Sequence, residues 1–302
     1  MITEKDYIEK RIITQQNVDK IRDLAIELSK EGDIVAAFKL MELAHKSRRE
    51  GPLIKEKLIE YKNILLHDFR IAQKISKEVN SGHLAVIPAG FRCFTKQKIE
   101  DFTGIRQASL PFDYGFFSPH SIASILRNPI IATCTTNPTS YSLCRKVERY
   151  INNDGEKGIR FETMSKEKID QEVARATPAS INQYLDATLG YYTLDNEHSY
   201  ISAHYNWHAI KPGLSKKQSD LAHNIASLRQ TLQRRIARML ETCEKAHRIL
   251  FIVHETQNYK YIQIDNNEFK LDSLDPIKTA AMDLFGQKAS AIYANELLSF
   301  EL

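Results

Sequence analysis

The 302-residue sequence predicts an α/β (α+β) protein in two parts, a short helical segment followed by a larger mixed domain. Three observations carry that expectation. Residues 17 to about 79 hold apolar side chains at three- and four-residue steps, broken only at Gly32-Asp33 and Gly51-Pro52. Beyond Asn80-Ser81-Gly82 the pattern changes to short apolar runs, at 83–88 and 249–253, with the length and composition of buried strands. Residues 216–247 return to a helical stripe, directly ahead of the second run.

Ile21, Leu24, Ala25 and Leu28 mark the first helix; Ala36, Ala37, Leu40, Met41, Leu43 and Ala44 mark the second. The small residues Ala37 and Ala44, seven apart, let two antiparallel helices approach closely. A third helix places Leu53, Leu58, Tyr61, Leu65 and His67 on or near one face. The change at Asn80 sets the boundary: 1–80 is the helical segment and 81–302 the α/β domain. In that domain the strand at 83–88 lies between Gly82 and Gly90, and a helix follows at about 95–103. Then come a Pro-Phe-Asp-Tyr loop at 111–114 and a helix at 119–127. Residues 129–163 read as irregular, with Asn137-Pro138 and 152–155 as turn signals, and helices are expected near 165–176 and 178–189. The aromatic- and His-rich stretch 191–210 contains a strand end at 200–204. The stripe Leu221, Ile225, Leu228, Leu232, Ile236, Leu240 and Cys243 reads as the longest helix of the chain. After the 249–253 strand, a hairpin pairs 259–264 with 268–271 across Asp265-Asn266-Asn267, and a modest helix leads to a last strand at 290–293.

Composition narrows the function. The apolar share, 42%, suffices for a sizeable core. The net charge of +4, from 42 basic and 38 acidic residues, is spread along the chain, which argues against a nucleic-acid partner. No run has the length of a membrane span, and 1–20 has no signal-like apolar core, so the expected compartment is cytoplasmic. Cys93, Cys134, Cys144 and Cys243 form no CxxC pair and read as reduced thiols. With neither a phosphate loop nor a dinucleotide fingerprint, no cofactor is expected.

Cys93 has the most informative setting. A buried strand ends at Pro88, Gly90 turns the chain, and Thr95 is placed to cap a new helix. A thiol at a helix N-terminus meets unpaired N–H groups and the positive end of the helix dipole, and both favour the thiolate, as does Arg92. The same N–H groups are suited to an oxyanion. The competing reading is a buried structural cysteine. A thiol nucleophile needs a base and a group that orients the base. His204, at a strand end, is the candidate base against the alternative of a packed histidine, and Asp113 is the candidate orienter against that of a turn former. Glu255 and Asp265, beyond the 249–253 strand, are the other acids available for the third role.

Two resemblances add to this. Gly32, Ala37, Met41, Ala44 and Pro52 resemble one tetratricopeptide-type repeat with a third helix as its cap. One repeat cannot bury its own faces, which implies packing against the next domain or a protein partner. Residues 84–126 hold Val-Ile-Pro-Ala-Gly-Phe-Arg-Cys, Gly104-Ile105-Arg106 and Ser109-Leu110-Pro111-Phe112-Asp113-Tyr114. With His204, Arg234, Arg235, Arg238 and the 249–253 strand, this order resembles a family of bacterial and viral proteins regarded as papain-like cysteine peptidases. The match runs over about 83–255, with Phe91-Arg92 in place of small polar residues and Tyr114 in place of Trp. The resemblance implies a papain-like domain with Cys93, His204 and Asp113 as catalytic residues, and substrate contacts from Arg92, Phe112, Tyr114, Asn206, Trp207 and Arg235. It implies a peptide or glycan-type substrate, the latter through surface-polysaccharide (capsule) systems.

Two further patterns in the sequence compete with these. His204 and His208 have the i,i+4 spacing of a zinc pair, but Lys211-Pro212-Gly213 opposes a helix there and no further ligand completes a set, so no metal is expected. Arg234, Arg235 and Arg238 suit a phosphate or acidic sugar, or simply a solvated face with Glu241 and Glu244. The function expected is a cysteine hydrolase or acyltransferase; the alternatives are a non-catalytic binding or scaffold module and a carbohydrate-active protein.

Overall fold

The computed structural model describes residues 17–91, 94–113, 115–129, 141–152, 154–165, 167–168, 171, 191–207, 221–254 and 259–298, of which 141, 143, 148–149, 191, 203–207, 221–227 and 298 by backbone alone. Two compact units divide within one helix, between Lys74 and Ile75. An N-terminal helical segment therefore precedes a mixed α/β sheet domain.

The first unit holds α1 (Val18–Lys30), α2 (Ile34–Ser47) and most of α3 (Pro52–Asn80). Gly32, at φ +89°, makes the turn between α1 and α2, and Asp33 caps α2 by accepting the Ala36 N–H at 3.0 Å. Val18, Ile21, Ala25, Ala37, Leu40 and Met41 form its core with Ala44, Ile54 and Tyr61. The third helix buries Tyr61 and packs Leu58 on the core, as the sequence reading expects, but it turns Ile54 inward in place of Leu53, and Leu53 and His67 are exposed.

The second unit contains two sheets. The smaller has order β1-β7-β10, from Leu84–Ala89, Arg248–Val253 and Ala289–Tyr293, with all strands parallel. A parallel sheet needs cover on its faces, and its strands are accordingly almost wholly apolar. Its core joins Ile87, Phe251 and Ala291 to Ile122 and Leu126 of α5 (Pro119–Arg127). It continues through Leu232, Ile236 and Met239 of α6 (Leu221–Lys245) to Ile277 of α7 (Asp275–Phe285). The last turn of α6 is closed by Lys288, whose Nζ donates to the carbonyls of Cys243 (2.8 Å), Glu244 (3.2 Å) and Ala246 (3.0 Å). α4 (Phe94–Thr103) follows β1 and is tied to the end of α3 by the Ser76 hydroxyl, which donates to Thr103 O at 2.5 Å.

The larger sheet has order β2-β6-β5-β3-β4-β8-β9. Its strands are β2 (Gly115–Phe116), β3 (Tyr141–Ile151), β4 (Lys157–Met164), β5 (Tyr191–Asp195), β6 (Tyr200–Trp207), β8 (Tyr261–Ile264) and β9 (Asn267–Lys270). All neighbours are antiparallel except β4 and β8. Phe116, Phe161 and Tyr192 meet edge-on or tilted at its centre, over buried Cys144 and Ile201. Here the sequence reading needs correction, because 141–164 is a long hairpin and not irregular chain. A bulge between Val147 and Tyr150 breaks the two-residue alternation, and Arg145, Lys146, Glu148 and Arg149 fill the strand with charge. The turn signal at 152–155 is real: Asn152 Oδ1 accepts the N–H groups of Asp154 and Glu156 and closes that hairpin. Among the described residues the longest helix is α3, with 29 residues, and not α6. The helices expected near 165–176 and 178–189 fall largely outside the described residues.

Candidate functional site

The carboxyl edge of the parallel sheet is where chains leaving β1 and β7 come together. Ala89 lies opposite Val253 in register, so residues 90 and 254 leave the sheet side by side. Gly90 has φ +129°, a left-handed backbone that side chains disfavour, and a Cβ there would lie 3.0 Å from Val253 Cγ1. Glycine is required at this step twice over. Phe91 then crosses to the larger sheet, where its ring meets Phe116 and Tyr259, each at 5.6 Å. α4 begins at Phe94. Arg92 and Cys93 stand between these anchors in the sequence and lie outside the described residues, as does Tyr114.

The first turn of α4 is held from two sides by consecutive residues. Thr95, 2% exposed, does not act as the helix cap that the sequence suggests; its Oγ1 accepts the His254 N–H at 3.3 Å. Lys96, with a side chain only 15% exposed, places Nζ 3.4 Å from Asp113 Oδ2. That carboxylate also accepts the Leu110 N–H at 2.7 Å, the Asx-type contact of a short turn at Pro111–Asp113. Asp113 is 1% exposed, and among the described residues its Oδ1 has no hydrogen-bond partner. Burial pushes its carboxyl up, while the Leu110 N–H, Lys96 and Arg235 pull it back towards the ionised form.

The remaining predicted residues are dispersed. Phe112 is buried edge-on against Phe117 at 5.5 Å, inside the core of the parallel sheet. Arg235, half-buried on α6, adds positive charge near Asp113. Arg238 donates from Nη1 to Ser109 O at 2.7 Å and so ties the approach to the Pro-Phe-Asp turn to α6, while Arg234 is exposed. His204, Asn206 and Trp207 belong to β6 by backbone, and their side chains lie outside the described residues; His208 lies outside altogether. Glu255 also lies outside, and Asp265 is engaged elsewhere, accepting from Thr163 N (2.9 Å) and Oγ1 (3.0 Å). Among the described residues no group of three or more His, Cys, Asp and Glu could hold a metal ion, and no helix is long and apolar enough to cross a membrane.

The other thiols differ in setting. Cys144 and Cys243 are buried and unpaired. Burial pushes both up, Cys243 to about 12 against a partial offset from Lys288. Cys134 lies outside the described residues.

Sequence reasoning missed His254. It directly follows the clearest strand in the chain, at the edge where ligands bind in open parallel sheets, and that position was the available signal. Comparison with known proteins finds no match: no family model, no curated protein and no solved structure is similar to this chain.

Proposed function

We propose that the protein is a cysteine-dependent hydrolase or acyltransferase with Cys93 as its nucleophile. One observation carries the reading: the helix that starts one residue after Cys93 is locked at its first turn, through Thr95 to His254 and through Lys96 to buried Asp113. Consecutive helical residues point about 100° apart, so these two ties fix the turn in both rotation and tilt. A locked helix N-terminus offers aligned N–H groups and a positive dipole end, which favour a thiolate and then an oxyanion. Lys96 adds positive charge to the first turn of that helix.

In this reaction the thiolate sulfur attacks the carbonyl carbon of an ester, amide or peptide and forms a C–S bond. The carbonyl electron pair moves onto oxygen and returns as the alkoxide or amine leaves, taking a proton from the histidine that accepted it from the thiol. Water, or a second acyl acceptor, then attacks the thioester and restores the thiol. The resemblance to papain-like peptidases supports this class and supplies His204 as one candidate base, and Asp113 supports the charge balance of the site through Lys96.

Incubation with p-nitrophenyl acetate, followed by peptide mapping, tests the reading. Acetyl is expected on Cys93 ahead of every other thiol, with Cys93→Ser abolishing both adduct and nitrophenol release. A wild-type protein acetylated at Cys93 no faster than after denaturation would refute it.

A second reading rests on the helical segment. Ile59, Leu66 and Phe69 of α3, spaced seven and three apart, are 61%, 44% and 58% exposed. Such a stripe supports a binding role for the N-terminal unit beside the catalytic one. Substituting Leu66 and Phe69 by Lys should leave the p-nitrophenyl acetate reaction unchanged if the two roles are separate.

A further inference from the structure

Resting on the binding role read for the helical segment, we infer that the exposed face of α3 between Ile59 and Arg70 docks an acidic amphipathic helix of another protein. Ile59, Lys62, Leu66 and Phe69 follow one another at steps of three, four and three residues, the spacing of a coiled-coil seam. Ile59, Leu66 and Phe69 are 61%, 44% and 58% exposed, so the row lies open along about 15 Å of helix. The opposite face of the same helix is spent on Ile54 and Tyr61, in the core of the first unit. The row therefore points away from that core and has no apolar cover of its own.

Charge selects the occupant. At about 100° per residue, the arc from Phe69 to Arg70 takes in Lys55, Lys62 and Arg70 and no acid, whereas Glu56 and Glu60 lie to one side of it. Lys55 is engaged by Glu50, and Glu60 by Lys57, each at 2.7 Å. Lys62 and Arg70 are exposed and, among the described residues, form no ion pair. Four residues before and after Leu66, they stand about 40° to either side of it, where the flanks of a facing helix come within reach. Carboxylates on those flanks would pair with both cations. A second copy of the chain fits badly. Antiparallel pairing about Leu66 sets Lys62 against Arg70, and parallel pairing sets each against itself, so like charges meet either way. A lipid surface calls for a broad apolar face with its cations on the polar side. Here Lys62 stands in the row itself, between Ile59 and Leu66, where a carboxylate satisfies it and acyl chains do not.

The probe is a fluorescein-labelled three-heptad peptide with Leu at both seam positions and Glu at the flanking ones, compared by anisotropy with the same peptide carrying Lys for Glu. The full chain should bind the Glu peptide about tenfold more tightly than the Lys peptide, and lose that preference at high salt. Leu66→Ala combined with Phe69→Ala should weaken binding about tenfold or more. Lys62→Glu combined with Arg70→Glu should invert the order of the two peptides, a result that misfolding cannot produce. Equal binding of both peptides by the wild type, or an order unchanged after the charge reversal, overturns the inference. So does displacement of the Glu peptide by phosphatidylserine vesicles, which leaves the binding role standing with a lipid partner. If neither peptide nor vesicles bind, the binding role falls together with the inference. Should the variants fail to fold, the wild type still decides by hydrogen exchange. The Glu peptide should slow exchange across 59–70, and protection confined to other segments refutes the assignment.

Discussion

The parallel and mixed sheets of the second unit use polar groups in opposite ways. In β1-β7-β10 the strands are almost wholly apolar, Arg248 and Ser290 apart, and polar side chains gather near the carboxyl edge: Thr95, Lys96, Asp113 and His254. In the seven-stranded sheet polar groups run along the strands as well, and those in the turns fix register. Asn152 closes β3 onto β4, Asp195 Oδ1 accepts the N–H groups of Glu197 and His198 in the β5–β6 turn, and Asp265 joins the β8–β9 turn to Thr163. Parallel strands need long crossovers, so their ends are free to carry chemistry, whereas hairpins spend their ends on closure.

The largest expected effect probes the apolar half of that contrast. Phe251, fully buried at the centre of β7 and stacked on Phe285, should cost about 3–5 kcal/mol of unfolding free energy in urea when replaced by Ala. Next comes Lys288→Met, which removes three charge-assisted bonds to the end of α6 and should cost about 1.5–3 kcal/mol in the same assay. A loss below about 0.5 kcal/mol would mean that solvent caps that helix as well as the lysine does. Asp265→Ala tests the register function of the mixed sheet and should cost about 1–2 kcal/mol, with no effect on acetylation of Cys93. Loss of acetylation in that variant would make the two sheets one functional device.

The smallest effect concerns pH. His198, buried in the β5–β6 turn, holds Ser124 Oγ at 2.8 Å from Nδ1, while its Nε2 is unpartnered among the described residues and 4.0 Å from Glu197 Oε1. Burial lowers its pKa, with Glu197 opposing. The unfolded chain thus takes up this proton first, and stability falls as pH drops below about 6.5, by at most about 1.4 kcal/mol per pH unit. His198→Gln should flatten urea-derived stability between pH 7 and 5; an unchanged slope would assign the acid sensitivity to other groups.

Elements with uninterrupted local signals were legible in the sequence. The helix expected at 119–127 is α5 at those bounds, with Ser118 as its cap and Pro119 opening it. The strand at 290–293 is β10 less one residue, and the hairpin at 259–271 is β8 and β9, with Asp265 at φ +52° in its turn. The hairpin β3–β4 was hidden because charge and a bulge masked its period. At the candidate site, Cys93 and Asp113 could be singled out by their local motifs, but the partner of Thr95 could not, since His254 lies far along the chain.

Sequence alone determined most of the helices and the apolar strands, though not the β3–β4 hairpin, because apolar spacing, caps and glycine turns act over a few residues. It also determined that a thiol stands between a buried strand and a helix. Tertiary structure decided that β7 lies beside β1, and that Lys96 faces a buried carboxylate. Strand neighbours and buried charge pairs are set by packing free energy summed over the whole core, a quantity that no local window contains.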